Sequence, residues 1–433
     1  MRRRFPALVW LLASLGAAGY LALRVRGEDR TLFLPGETTA GHYQIELACE
    51  SCHEPFGGVR QDACLACHEG ELQAGEDSHP ASLFDDPRNA ADLELLDVRR
   101  CTACHTEHRP EITASAGVTL PSDFCWRCHA GIAAERPSHE GLAFDGCAAS
   151  GCHNYHDNRA LYEDFLVRHA VVGADSFPGS LPERAGWVSW APAGRAPLLA
   201  ADADGPASSS GAVITAWAGS AHATRGVNCS DCHAADETGW TDRPPREQCG
   251  SCHELEHAGF TAGRHGMRWR AGLPSMSPAL ARLPMNPHAS SLALECGSCH
   301  DVHEVDVARA AAVACLTCHA DEHSSAYVGS PHHALWEQEL AGAGPPGSGV
   351  SCASCHLPRE TRRVAGEERT VVEHNQNANL RPNEKMIREV CLTCHSLGFA
   401  LDALADPELI RRNFAGRPAR RVRSLDMALS RRE

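Results

Sequence analysis

The strongest hydrophobic pattern in the chain lies at its N-terminus. Residues 5–23, FPALVWLLASLGAAGYLAL, contain no charged side chain, and arginines flank them on both sides. Such a stretch is long enough for a helix to cross a bilayer, whereas a secretory signal usually has a shorter apolar core that ends at small residues, such as GAAG at 16–19. The pattern predicts a membrane anchor over residues 1–30, with a cleaved signal peptide as the alternative. In both cases Arg2 to Arg4 stay in the cytoplasm and the remaining chain is exported.

Beyond this segment the hydrophobic pattern is weak. Aromatic residues make up only 6% of the chain, and 37 glycines and 26 prolines are spread over 433 residues. Few large side chains are therefore available for a core, so the chain needs another source of buried apolar surface. The pattern predicts short helices and long loops.

The most regular feature of the chain is a C-x-x-C-H motif. It occurs ten times, and an eleventh copy, CAASGCH, has four residues between its cysteines. These copies use all 22 cysteines of the chain, which are Cys49 and Cys52, Cys64 and Cys67, Cys101 and Cys104, Cys125 and Cys128, Cys147 and Cys152, Cys229 and Cys232, Cys249 and Cys252, Cys296 and Cys299, Cys315 and Cys318, Cys352 and Cys355, and Cys391 and Cys394. The histidines that follow are His53, His68, His105, His129, His153, His233, His253, His300, His319, His356 and His395.

C-x-x-C-H is the attachment sequence of c-type haem. Each thiol adds to one haem vinyl group, and the adjacent histidine is held close enough to become an axial ligand of the iron. Zinc ribbons and disulfide frameworks also use paired cysteines, but neither requires a histidine directly after the second one. We therefore expect eleven covalently attached haem c groups and no disulfide.

The density of these motifs limits the fold. Eleven motifs between residues 49 and 395 leave about 32 residues for each one. This predicts a mainly α-helical fold with extensive loops, in which short helices surround a chain of haems. Little or no β-sheet and no separate catalytic domain are expected, and the haems supply much of the core.

One long interval divides the motifs. The motif at Cys147 and the next one, at Cys229, begin 82 residues apart. The interval between them contains stretches rich in Pro, Gly and Ser at 177–186 and 201–211. Such composition is typical of loops and linkers. We predict a five-haem domain at 40–170, a haem-poor linker at 171–213, a six-haem domain at 214–396 and a basic C-terminal tail at 397–433.

Fifteen further histidines are available as second axial ligands, so every iron can be bis-histidine. We expect this role for twelve of them, which are His42, His79, His108, His139, His156, His222, His257, His288, His303, His323, His332 and His374. The other three, His169, His265 and His333, are left without a role.

The spacing of five of these histidines predicts where they bind. Counted from the motif histidine, three lie three residues further on (His108, His156 and His303) and two lie four residues further on (His257 and His323). In a helical turn both imidazoles project from one face at different heights, so they cannot bind opposite sides of one iron. Each of the five should therefore reach a neighbouring haem.

Charge restricts the partners. The formal net charge is -15, which argues against nucleic acid and favours basic or neutral redox proteins. The sign reverses in the tail, where eight arginines lie between Arg411 and Arg432. This segment is either a solvated basic helix or a docking element for an acidic partner or lipid headgroups.

With these motifs the chain resembles the multihaem c-type cytochromes. The first half is similar to class III and decahaem periplasmic electron carriers. In the second half, WAGSAHATRGVNCSDCH at 217–233 and EHNQNANLRPNEKMIREVCLTCH at 373–395 resemble segments of the pentahaem nitrite reductase and octahaem hydroxylamine-oxidising group. The chain lacks the C-x-x-C-K motif of those nitrite reductases, and Tyr327 is the only tyrosine of the second half, so no catalytic residue is carried over.

Two functions are open. The first is a periplasmic carrier on the cytoplasmic membrane that passes electrons in a respiratory pathway, from a quinol-side donor to a terminal reductase or an outer-membrane conduit. The second is a multihaem reductase of a small nitrogen or sulfur oxyanion with one five-coordinate haem. The resemblance and the surplus of histidines favour the carrier, whose chemistry belongs to its haems. A filament-forming subunit is a third, weaker interpretation.

Overall fold

The structure is a computed structural model of the chain. It describes residues 4–27, 30–55, 57–114, 117–121, 123–136, 139–140, 155–157, 161, 163–170, 195–202, 211–234, 239–364, 366–380 and 383–430. The CAASGCH motif, with Cys147, Cys152 and His153, lies outside the described residues, as does most of the predicted linker.

The described chain is mainly helical, which confirms the predicted fold class, and most helices are shorter than ten residues. They are α1 (Arg4–Arg26), α2 (Gln61–Gly75), α3 (Ala90–Leu95), α4 (Cys101–Cys104), α5 (Trp126–His129), α6 (Ile132–Glu135), α7 (Glu163–His169), α8 (Gly211–Ala218), α9 (Ala221–Thr224), α10 (Cys229–His233), α11 (Glu254–Ala262), α12 (Met267–Arg270), α13 (Cys296–Cys299), α14 (Ala314–Cys318), α15 (Glu322–Tyr327), α16 (Pro331–Leu340), α17 (Cys352–His356), α18 (Gln376–Leu380), α19 (Met386–Glu389), α20 (Leu397–Leu404), α21 (Pro407–Arg411) and α22 (Ser424–Leu429).

Helix α1 contains the apolar N-terminal segment. Its residues 7–26 are long and apolar enough to cross a membrane, and none of them is buried against the rest of the chain. A signal sequence near an N-terminus passes the same test of length and composition. Helix α1 is therefore compatible with both predicted roles.

The C-x-x-C-H motifs form tight helical turns. In at least six of them the histidine N–H donates to the carbonyl of the first cysteine four residues earlier, as from His105 to Cys101 at 2.9 Å and from His319 to Cys315 at 2.9 Å. This bond closes one α-helical turn, so the first cysteine and the histidine project from the same side. The C-x-x-C-H spacing thus brings two thiols and one imidazole to the same side of the turn.

Two small antiparallel sheets complete the described fold. Strand β1 (His53–Glu54) pairs with β2 (Gly58–Val59), and β3 (Arg359–Val364) pairs with β4 (Glu367–Val372). The β3–β4 turn includes Gly366 at φ +87°, a backbone conformation that favours glycine. Since β4 ends two residues before His374, this hairpin determines where that histidine lies.

The chain divides into two compact units by its internal contacts. The first unit contains residues 1–69 and 80–121, and the second contains residues 70–79 and 122–433. These units differ from the five-haem and six-haem domains expected from motif spacing. The division expected within 171–213 therefore stays a prediction.

The largest apolar core lies in the second unit and joins distant parts of the sequence. Its buried residues come from α7 and a position two residues before it, from α19, and from α20 and α22, and are Leu161, Phe165, Leu166, Ile387, Leu397, Ala400, Leu401 and Ala428. A second, smaller core contains Ala312, Tyr327 and Trp336. Residues just before the predicted linker thus pack against the C-terminal helices.

The basic C-terminal segment is folded. Leu409 in α21 and Ala428 in α22 are buried. Arg411 forms an ion pair with Glu322 at 2.7 Å, and Arg421 forms one with Asp426 at 2.7 Å. The tail is consequently more than the solvated basic helix considered from its sequence.

Candidate haem-binding sites

Nine motif histidines each face a second histidine. The ring centroids are 5.9 to 6.4 Å apart in all nine pairs. The pairs are His42 and His68, His53 and His108, His79 and His129, His222 and His253, His233 and His303, His265 and His319, His300 and His374, His323 and His356, and His332 and His395.

This spacing fits two axial ligands of one metal ion. A transition metal binds an imidazole nitrogen at about 2 Å, and the ring centroid lies about 1 Å behind it, so two rings on opposite sides of the metal have centroids about 6 Å apart. The angle between the ring planes varies from 10° for His233 and His303 to 78° for His79 and His129. Direct ring packing would favour particular angles. A shared centre between the rings fixes only their separation, and only the separation recurs here.

Hydrogen bonds orient the paired rings. Nδ1 of five of them lies close to a backbone carbonyl oxygen: His79 to Tyr155 at 2.9 Å, His108 to Gly36 at 2.8 Å, His233 to Thr241 at 2.7 Å, His323 to Ile410 at 2.5 Å and His374 to Val372 at 2.9 Å. A carbonyl only accepts, so Nδ1 carries the proton and Nε2 keeps its lone pair for a metal. This arrangement is typical of metal-binding histidines.

The His42 ring has a different partner, a carboxylate. Its Nδ1 lies 2.6 Å from Oε1 of Glu107, which also accepts from the hydroxyl of Thr39 at 3.0 Å, while Oε2 accepts from the Thr39 N–H at 2.8 Å. Burial alone would raise the pKa of Glu107, but the hydrogen bonds from His42 and Thr39 outweigh it and lower that pKa to about 2. Glu107 is therefore a fixed negative charge behind the His42 ring.

Burial also keeps several paired histidines neutral. Burial, together with the smaller effect of neighbouring histidines, lowers the pKa of His265, His300, His332 and His356 to about 4. At neutral pH these rings are uncharged, which is the form that binds a metal ion.

Thiols of successive motifs lie next to each other. A side-chain hydrogen bond with Cys296 lowers the pKa of Cys249 to about 7, and a similar bond between Cys315 and Cys352 raises the pKa of Cys315. The charges of Cys315 and of Cys394 likewise raise the pKa values of Cys299 and Cys355, after burial as the larger cause. In the second unit the attachment sites from Cys249 to Cys394 are thus neighbours in chain order. Once bonded to haem these sulfurs no longer titrate.

Three of the five histidines predicted to reach a neighbouring haem lie opposite the histidine of another motif. His108 faces His53, His303 faces His233, and His323 faces His356. For His156, the structure places Nδ1 at 3.4 Å from Oδ1 of Asp77.

His257 and His288 have no facing motif histidine among the described ring contacts, so their ligand role stays a prediction. The His257 ring packs edge-on against Trp269 with centroids 5.2 Å apart, because α11 lies against α12 along this face. Its Nε2 atom is buried without a hydrogen-bond partner in the chain, as expected of a ring lining a cofactor cavity. His288 is exposed in the short turn Pro287–Ala289.

The remaining histidines have other described contacts. His105 Nδ1 lies 3.0 Å from the Gly117 carbonyl oxygen, and His169 Nδ1 lies 2.8 Å from that of Phe165. His139 donates its backbone N–H to Arg136 at 2.9 Å, and His333 packs on Tyr327.

Sequence reasoning missed His265, which faces His319 at 6.2 Å. A signal for it was present, because His265 follows the second motif of its half by nearly the same interval as His79 follows the second motif of the first half. His79 is a predicted ligand, and the similar interval in the second half predicts His265 as a ligand as well.

The pairing repeats in the same order along two stretches. In each stretch, a histidine seven residues before the first motif faces the histidine of the second motif. The histidine of the first motif faces a histidine just after the third motif. A histidine after the second motif faces the histidine of the fourth. These pairs are His42–His68, His53–His108 and His79–His129 in one stretch, and His222–His253, His233–His303 and His265–His319 in the other. The chain therefore contains one four-motif arrangement twice.

Comparison with known proteins agrees with this repeat. The family model described as Cytochrome c3 matches residues 41–130 and again residues 221–320. The two matches support a multihaem c-type cytochrome, with covalently bound haem c and electron transfer as its activity. The matching family model is that of cytochrome c3, and the two matched stretches together make up less than half of the chain. No curated protein and no solved structure matches the chain significantly.

The comparison also bears on the resemblance to nitrite reductases. Most of the 217–233 segment lies inside the second match to cytochrome c3, and the 373–395 segment lies outside both matches. The resemblance of these segments to the nitrite reductase group is not supported by either match.

Proposed function

We propose that this protein is a periplasmic undecahaem cytochrome that passes electrons along a chain of bis-histidine haems in a respiratory pathway. The observation that carries the proposal is the recurrence of paired histidines at about 6 Å, which is the separation two axial ligands require. Bound haem supplies the one-electron iron couple. The protein attaches each haem through two cysteines, fixes both axial ligands and orders the sites along the chain.

All eleven motifs belong to this function. The 22 cysteines attach the haems, and the eleven motif histidines are the proximal ligands. The nine paired partners, His265 included, are second ligands. The CAASGCH copy has the same ligand set with a longer loop between its cysteines, so we assign a haem to Cys147, Cys152 and His153 as well.

Location follows from the N-terminal segment. Helix α1 anchors the protein to the cytoplasmic membrane, with the haem-binding chain on the periplasmic side; a cleaved signal would leave the same chain soluble in the periplasm. Partners are a quinol-side donor and a terminal reductase or outer-membrane conduit. The arginines that flank the apolar stretch favour this orientation.

The residue considered for a reductase site has a structural role instead. Tyr327 is buried, and its hydroxyl donates to the Val350 carbonyl at 3.0 Å. A catalytic tyrosine would need that hydroxyl free for substrate. This contact favours the carrier over the reductase.

Protein-film voltammetry of the purified holoprotein tests the function, on material whose intact mass corresponds to eleven haems. We expect reversible waves that integrate to eleven electrons and stay unchanged when nitrite, hydroxylamine or sulfite is added. A catalytic current with any of these substrates would contradict the carrier and support the reductase.

A further inference from the structure

The two stretches of the repeat contain one pair of equivalent haem sites, with histidines at the same positions. The residue that lies behind one of these histidines differs between the two sites. His42 and His222 each precede the first motif of their stretch by seven residues, and each faces the second motif histidine, His68 or His253. The residue behind each ring comes from the same place, two positions after the third motif histidine. It is Glu107 in CHTEH and Val302 in CHDVH.

The two positions make different contacts. Glu107 presents a carboxylate oxygen 2.6 Å from Nδ1 of His42. At the equivalent place stands Val302, whose side chain is exposed and uncharged; its backbone acts to raise the pKa of His222, while burial, the larger cause, lowers it. One ligand ring is therefore backed by an anion and its counterpart by a peptide group.

The Glu107 carboxylate is held in place. Thr39 binds it through both its backbone N–H and its hydroxyl, and Thr39 is buried. The left-handed backbone of His108, at φ +61°, lets the His-Thr-Glu-His segment turn so that His108 faces His53 while Glu107 faces His42. This short segment thus provides the histidine of its own motif, one histidine of the His53–His108 pair and the carboxylate that contacts the His42–His68 pair.

We propose that Glu107 sets the haem held by His68 and His42 to a lower reduction potential than the equivalent haem held by His253 and His222. A carboxylate that accepts from Nδ1 gives the ligand partial imidazolate character and makes it more basic. Added negative charge stabilises ferric iron over ferrous iron, and hydrogen bonding around the ligands is one of the means by which a protein adjusts a haem potential. The inference rests on the proposed axial ligation.

Reciprocal substitutions test this in the full-length holoprotein, with potentiometric titration followed by optical and electron paramagnetic resonance spectra. Glu107→Gln keeps the size of the side chain and removes its charge, so it should raise the potential of one haem most and leave the haem count and the low-spin signals intact. Val302→Glu should lower the potential of one haem. A Glu107→Gln titration that superimposes on the wild type would overturn the proposal.

Two further variants separate charge effects from folding. Glu111→Gln removes the same charge four residues away, where the side chain is 59% exposed and paired with Arg109, and should leave the titration unchanged. Thr39→Val removes the hydroxyl that shares Oε1 with His42, and should shift the potential downward, opposite to Glu107→Gln. An upward or absent shift in Thr39→Val would count against the proposal even if Glu107→Gln failed to fold.

The ligand assignment has its own control. His42→Ala should turn one haem high-spin if His42 is the second ligand of that iron. If all haems stay low-spin in His42→Ala, the proposed ligation fails at this site, which is distinguishable from a correct ligand pair on which Glu107 has no effect.

Discussion

At the residue scale, the histidines show which haem ligands can be predicted from the local sequence alone. The C-x-x-C-H spacing alone identified every proximal candidate, because the same sequence that attaches haem closes the helical turn beneath it. Second ligands depend on contacts between distant residues. The same offset from a motif places His323 opposite His356, whereas the described ring contact of His257 is with Trp269 of α12.

His265 provides the sharpest test of a single ligand. Replacing it by alanine should leave the iron opposite His319 without its second ligand, so one haem becomes high-spin while haem content is unchanged. Electron paramagnetic resonance of the oxidised variant measures this. His288→Ala, an exposed histidine of the same region, should keep the wild-type spectrum. An unchanged spectrum for His265→Ala would remove His265 from the ligands.

At the element scale, the β3–β4 hairpin and α11 together place His374 opposite His300. Glu373 is buried and forms an ion pair with Arg362 of β3. Helix α11 approaches the following segment so closely that a Cβ on Gly263 would lie 2.9 Å from the His374 carbonyl oxygen. The sequence predicted neither the hairpin nor this approach, because polar strands such as 359–364 carry no clear hydrophobic alternation and the contact is tertiary.

Gly263→Ala should therefore displace the backbone of His374 and weaken its position opposite His300. Expected results are a lower melting temperature and a partial high-spin signal from one haem, since no Cβ fits at 2.9 Å without movement. Gly70→Ala in α2 is the matched control, because a Cβ there meets nothing within 4 Å. Equal melting temperatures and spectra for the two variants would contradict this account of α11.

At the scale of the whole molecule, motif spacing and histidine pairing group the motifs differently. Motif spacing suggested five and six haems on either side of a linker, whereas the histidine pairs repeat over four motifs, and His300 completes its pair with His374 from beyond the second repeat. Motif spacing cannot predict contacts between distant parts of the chain. One such contact is the packing of Phe165 and Leu166, which precede the linker, against Leu401 and other C-terminal residues. The pairing of rings and the two family matches distinguish the two four-motif stretches from the remaining three motifs.

The central claim is that the irons are bis-histidine and have no open position for a substrate. Spin quantification by electron paramagnetic resonance of the fully oxidised, full-length holoprotein tests it most directly. The account predicts that all eleven haems are low-spin, because nine motif histidines face a second histidine and further histidines of the chain remain for the other two irons. A stoichiometric high-spin signal that shifts on addition of nitrite or hydroxylamine would contradict it.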